Sequence, residues 1–110
     1  MNGEESTVLV TCPDEKTARA ICRHLVEQHL AACANIFAIS SIYRWKDRVE
    51  EAPEFASLLK IRSKDFNEVE EAVRRLHPYK VPCIVRYDIA EGSRDYLQWI
   101  IESTTRPPKA

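Results

Sequence analysis

The segment Leu76-His77-Pro78-Tyr79-Lys80-Val81-Pro82, followed at once by Cys83, gathers the side chains of this sequence best suited to chemistry. An imidazole and a thiol flanking one turn are soft donors, and with a further donor from a neighbouring subunit they could hold Cu(I). A copper or zinc site takes three or four nitrogen or sulfur ligands, and within one subunit Cys12, Cys33 and Cys83 are the sulfurs on offer. His77 also has a structural reading. At a helix end the macrodipole favours its protonated form, and a carbonyl can accept its N–H. Pro78 and Pro82 fix the backbone around it, so the segment is first of all a join between a helix and a strand.

The remaining candidates are weaker. His24 and His29 lie five apart on a helical stretch and miss the i, i+4 spacing of a helical metal pair. Cys33 closes the small-residue run Leu-Ala-Ala-Cys, where it is either a core residue or a reactive thiol near a cleft. The four cysteines form no C-x-x-C pair and no finger-like spacing with histidine, so free thiols in a reducing cytoplasm are expected.

Those residues must be positioned by a single domain. The chain has 110 residues, 45% of them apolar, enough for a packed core without metal or disulfide staples. A formal net charge of -1 gives no electrostatic case for a nucleic acid or an anionic membrane. The sequence does not open like an export signal and has no apolar run of membrane-spanning length, so a soluble, cytoplasmic protein is expected.

Thr7–Cys12 reads as a buried strand, followed by Pro13-Asp14-Glu15, residues favoured in a first helical turn. Ala18, Ile21, Cys22, Leu25, Val26 and His29 recur at three- and four-residue steps and predict an amphipathic helix from Asp14 to Leu30. A second helix is expected from Lys64 to His77 after a Ser63 cap, then a strand over 81–90, then a short helix capped by Ser93. Ala32–Glu50 and Glu54–Ser63 lack a helical period and read as two long antiparallel strands with a polar joint, Lys-Asp-Arg-Val-Glu-Glu-Ala-Pro-Glu, between them. The order is that of an α+β, ferredoxin-like βαββαβ sandwich with a long β2–β3 hairpin and a short C-terminal helix. The domain spans 7–103, with 1–6 and 104–110 as flexible tails.

Strands of about 14 residues outreach helices of similar residue count, because a strand rises ~3.3 Å per residue and a helix ~1.5 Å. The hairpin therefore projects beyond its helical cover. It carries Ile42, Tyr43 and Trp45, an apolar patch of a kind monomers rarely expose. Tyr43 and Trp45 are accordingly expected at an interface between copies of the chain.

The segments VTCPDEKTA, LAACANI, SIYRWKDRVEE, LLKI, LHPYKVP and DYLQWI, in this order and spacing, resemble the CutA family of divalent-cation tolerance proteins over Val8 to Ile101. The resemblance implies a ferredoxin-like subunit in a tight homotrimer similar in architecture to PII signalling proteins, with no enzymatic reaction attached. It implies binding of copper or another divalent cation, for which His77 and Cys83, completed by a neighbouring subunit, are the candidate ligands read above from the residues themselves. It also places Lys60, Tyr79, Tyr96 and Trp99 near an inter-subunit cleft, where an ammonium beside aromatic rings suits a small anionic or planar ligand. The sequence departs from the family pattern at several points. Asp47 stands where glycine is common, Lys80 and Cys83 where an acid is frequent, and Val10 and Leu76 where some members carry cysteine and histidine. Lys80 puts a like charge near any cation bound there.

Two other functions occur on ferredoxin-like folds. An acylphosphatase-type hydrolase needs a loop of free backbone amides with an arginine, yet the turn Thr11-Cys-Pro-Asp-Glu-Lys-Thr17 brings a proline and two acids. An RNA-recognition module needs stacking aromatics and a basic face on its central strands, and Glu54–Ser63 has neither.

Overall fold

The computed structural model describes residues 3–107. The element order is β1 (Glu5–Cys12), α1 (Glu15–Glu27), β2 (Cys33–Trp45), β3 (Arg48–Arg62), a 3₁₀ turn (Ser63–Asp65), α2 (Phe66–Leu76), β4 (Ile84–Asp88) and α3 (Arg94–Ser103). The strands make one antiparallel sheet in the order β2-β3-β1-β4. Among the described residues no helix is long and apolar enough to cross a membrane.

Alternation along the strands decides which face is buried. Val8, Val10 and Cys12 of β1 and Leu59 and Ile61 of β3 point to one side, where Ala18, Ile21, Cys22 and Leu25 of α1 and Val69, Ala72 and Val73 of α2 close the core. Asp14 caps α1 by accepting the Thr17 N–H at 2.8 Å. The helix ends in a Schellman motif: His29 takes a left-handed φ of 59°, while the amides of His29 and Leu30 donate to the carbonyls of Val26 and Leu25.

Among the described residues the opposite face of the sheet has no such cover. By register it carries Leu9 and Thr11 of β1, Phe37, Tyr43 and Trp45 of β2, Glu54 and Leu58 of β3, and Val85 and Tyr87 of β4. Phe37, Tyr43, Trp45, Val85 and Tyr87 are exposed. α3 lies against one end of this face and buries Ile100, yet leaves its own Tyr96 and Trp99 exposed.

Several boundaries differ from the sequence expectation. The hairpin closes in two residues, Lys46 and Asp47, at φ 49° and 63°, and β3 begins at Arg48, so the expected polar joint is mostly strand. Its residues gave no strand signal because the arm meets solvent on both sides, which removes the alternation. Pro53 is tolerated because β1 pairs only from Phe55 onward, leaving β3 an edge at that point. The expected tails are partly built in: β1 starts at Glu5, with Glu5 and Ser6 buried, and Thr104 is buried with its hydroxyl on the Ile100 carbonyl. The remainder of those tails, 1–2 and 108–110, lies outside the described residues. Ser63 does not cap α2; its hydroxyl bonds that of Ser6 at 2.6 Å and a 3₁₀ turn leads into the helix. Ser93 is the N-terminal boundary of α3 but makes no side-chain cap bond. β4 is shorter than expected because the backbone around Pro82 is not paired, and α1 stops at Glu27 because the chain turns at His29.

Candidate functional site

α2 ends where Pro78 bars helical geometry at the residue before it, and His77 accordingly has extended backbone, ψ 134°. Its ring is held on both sides. Nε2 lies 2.8 Å from the Thr11 carbonyl, and Nδ1 accepts the Tyr79 N–H at 3.1 Å. An amide can only donate, so Nδ1 is the acceptor and Nε2 carries the proton given to Thr11. The expected protonated, helix-end histidine is thus a neutral ring that staples the turn to the end of β1. Its side chain is buried, and its ring centroid lies 4.8 Å from that of Tyr79.

The staple aims Tyr79 across the end of β1 toward the open sheet face. There its hydroxyl donates to Glu54 Oε2 at 2.9 Å. Tyr79, Glu54 and Thr11 line a cavity of about 400 Å³ with Tyr43, Trp45, Pro78, Lys80, Val81 and Cys83. Loss of hydration, and then the bond to Glu54, push the Tyr79 hydroxyl up to about 12, so it stays a donor. The structure therefore brings together Tyr43, Trp45, Tyr79 and Cys83, which the sequence had placed in three separate roles.

The other expected residues meet at the far end of the same face. Cys33 Sγ lies 3.3 Å from the Tyr96 hydroxyl, whose ring centroid is 5.6 Å from that of Trp99. Lys60 stands opposite Cys33 in the sheet and donates to Asn35 Oδ1 at 2.8 Å. Lys60, Tyr96 and Trp99 are thus one cluster, and Tyr79 belongs to the other. The Tyr96 hydroxyl is pushed up to about 12, first by its bond to Cys33 and then by burial.

The donors of the described residues do not by themselves make a metal site. Among the described residues no group of three or more His, Cys, Asp or Glu side chains is arranged to hold an ion. Both nitrogens of His77 are engaged, Lys80 brings a positive charge to the wall beside Cys83, and a copper or zinc centre needs at least one more donor. All four cysteines are free thiols. Cys12 is buried, and its thiol is pushed up to about 12 by burial and then by Cys22. Burial likewise raises the Cys22 thiol. Neither is a ready thiolate.

Glu54 and Thr11 escape sequence reasoning. Glu54 reads as one more acid in a polar stretch, and 25 residues separate it from the tyrosine it binds. The available signal was an acid at the edge of the mainly apolar segment Phe55–Ile61, where the solvated arm becomes core.

These observations define a class: an α+β sandwich with a four-stranded antiparallel sheet and three helices, with one sheet face and a long hairpin left uncovered. Comparison with known proteins gives the particular family. The family model described as CutA1 divalent ion tolerance protein matches residues 6–103. The divalent-cation tolerance protein CutA of Thermus thermophilus is 48% identical over 101 residues, covering 91% of this chain and 98% of the relative. Protein CutA of Homo sapiens is 40% identical over 103 residues, covering 93% of this chain and 58% of the relative. The solved structure of the periplasmic divalent cation tolerance protein CutA from Archaeoglobus fulgidus superposes with a TM-score of 0.90 at 39% identity, covering 92% of this chain and 99% of that one. The chain belongs to the CutA1 divalent ion tolerance family.

Proposed function

We propose that the chain acts as a non-enzymatic binding protein, a homotrimer of ferredoxin-like subunits that takes a divalent cation or copper at a site completed between subunits. The observation that supports this best is the sheet face opposite α1 and α2, where Phe37, Val85 and Tyr87 remain exposed between two clusters of polar and aromatic residues. A second copy covering that face would bring its own donors beside Cys83. The thiol of Cys83 is the soft donor this subunit offers; His77 can join only by giving up the Tyr79 N–H. Copper(I) titration against a competing chelator tests the metal part. Cys83→Ser should weaken binding most and His77→Ala less, and equal affinity in both variants and the wild type would refute it.

The Lys60 cluster favours a second reading, a small planar anion held in a cleft between subunits. The Lys60 ammonium is bonded to a neutral amide and enters no ion pair among the described residues. Quenching of Trp99 fluorescence by such an anion, lost in Lys60→Met, would support this reading over the metal.

A further inference from the structure

α3 has little of its own to hold it in place. Among its ten residues only Ile100 is buried, Ser93 gives it no side-chain cap bond, and its last turn has no basic residue to offset the dipole. Isolated helices shorter than about 12 residues are marginal in water, so contacts with the rest of the fold must seat this one.

Those contacts gather beyond its C-terminal end. The buried Thr104 hydroxyl donates to the Ile100 carbonyl at 2.8 Å, and the Thr105 hydroxyl to that of Ile101 at 2.8 Å, satisfying groups that a helix end leaves open. The chain then reaches the elements on the other face of the sheet. His29 Nδ1 donates to the Ser103 carbonyl at 3.2 Å, and Arg106 donates to the His29 carbonyl at 2.8 Å. The Arg106 guanidinium also meets both carboxylate oxygens of buried Asp65, Oδ1 at 3.2 Å and Oδ2 at 3.3 Å. A charge-assisted fork of this kind is strong and directional. One side chain thus ties the end of α3 to the turn after α1 and the turn before α2. The core does not depend on it, because Arg62 also holds Asp65, at 3.2 Å.

What α3 carries gives the tie a use. The Tyr96 hydroxyl meets Cys33 Sγ at 3.3 Å, and the Trp99 ring lies 5.6 Å from that of Tyr96, on the strand position opposite Lys60. Both rings stand there only while α3 is seated.

We infer that residues 103–106 are a latch: α3 opens and closes as a unit separate from the core, and Arg106 is the positioning residue that keeps it closed over the Lys60 cluster. The latch consists of bonds within one subunit, so it does not depend on where a neighbouring copy lies. Its role at the cluster rests on the reading of that cluster as an anion site.

Hydrogen exchange on the full chain in its native assembly tests the latch. In Arg106→Gln the amides of 97–103 should exchange at least about tenfold faster, while those of β1 and α1 stay within about twofold of the wild type. Arg106→Lys, which keeps the charge but loses the fork, should fall between the two. Equal acceleration in every element would overturn the latch, and so would unchanged exchange in α3, the result expected if a neighbouring subunit clamps that helix instead. Calorimetric titration with benzoate, a small planar anion, tests the role at the cluster. Arg106→Gln should bind it at least about fivefold more weakly, with partial recovery in Arg106→Lys, and equal affinity in all three proteins would overturn the positioning role. No benzoate binding by the wild type sinks the anion reading and the positioning role with it, while the exchange pattern still decides the latch.

Discussion

His77 shows how a residue with the right chemistry can be spent on structure. Its two ring nitrogens satisfy a carbonyl at the end of β1 and an amide in the following turn, and the neighbouring tyrosine is thereby directed at Glu54. His77→Ala leaves the part-buried bonds to the Thr11 carbonyl and the Tyr79 amide unmade, so unfolding in urea should show a loss of about 2 to 3 kcal/mol. Cys83→Ser, on a half-buried turn residue, should stay within about 0.5 kcal/mol of the wild type. The same residues govern the alkaline limb of stability. The Cys12 thiol and the Tyr79 and Tyr96 hydroxyls all sit at about 12, above their ordinary values. The folded state thus holds their protons more tightly than the unfolded chain. That stability is complete below the unfolded values of about 9 for the thiol and about 10 for the tyrosines and fades as pH rises toward 12. Urea midpoints should be level from about pH 7 to 8.5 and fall steadily above it, less steeply in Tyr79→Phe; a flat profile to about pH 11 would contradict the assignment.

Among the elements, the hairpin turn and the C-terminal strap carry the clearest expectations. Lys46 and Asp47 both hold positive φ, the geometry of a two-residue hairpin turn that favours glycine at its second position. Asp47→Gly should therefore stabilise the arm by about 0.5 to 1 kcal/mol, read from the unfolding midpoint. The strap is built on Asp65, which is buried and holds Arg62 at 3.2 Å and Arg106 at 3.2 Å, while Arg106 also donates to the His29 carbonyl. Asp65→Ala leaves two guanidinium groups without their shared partner and should lower stability by about 3 kcal/mol. Sequence periodicity exposed the helices well because α1 and α2 each press one stripe on a buried face. It failed wherever burial did not impose a period. The distal hairpin is wet on both sides, the end of α1 depends on a left-handed histidine, and the strap pairs residues 41 apart that only the closed fold brings together. The site was legible in part for the same reason. Tyr79 and Cys83 stand out as residue types, whereas Glu54 gains its meaning from a tyrosine delivered by another element.

For the whole molecule the question is what covers the second face of the sheet. β2 and β3, at 13 and 15 residues, reach ~43 to 50 Å, whereas α1 and α2, at 13 and 11, cover ~17 to 20 Å. The uncovered arm exposes Ile42 and Val49, at 68% and 66%, on its helix side and Tyr43 and Trp45 on the other. Large apolar side chains exposed on both sides of one arm are what a second copy of the chain would bury. Tyr87→Asp, an exposed edge-strand change with little effect on the subunit core, should break such an assembly while leaving the far-ultraviolet circular dichroism of the fold intact. The wild-type mass at micromolar concentration, measured by sedimentation equilibrium, tests the account most directly. It predicts one species of three times 12.7 kDa, and a folded, unaggregated species of 12.7 kDa would contradict it.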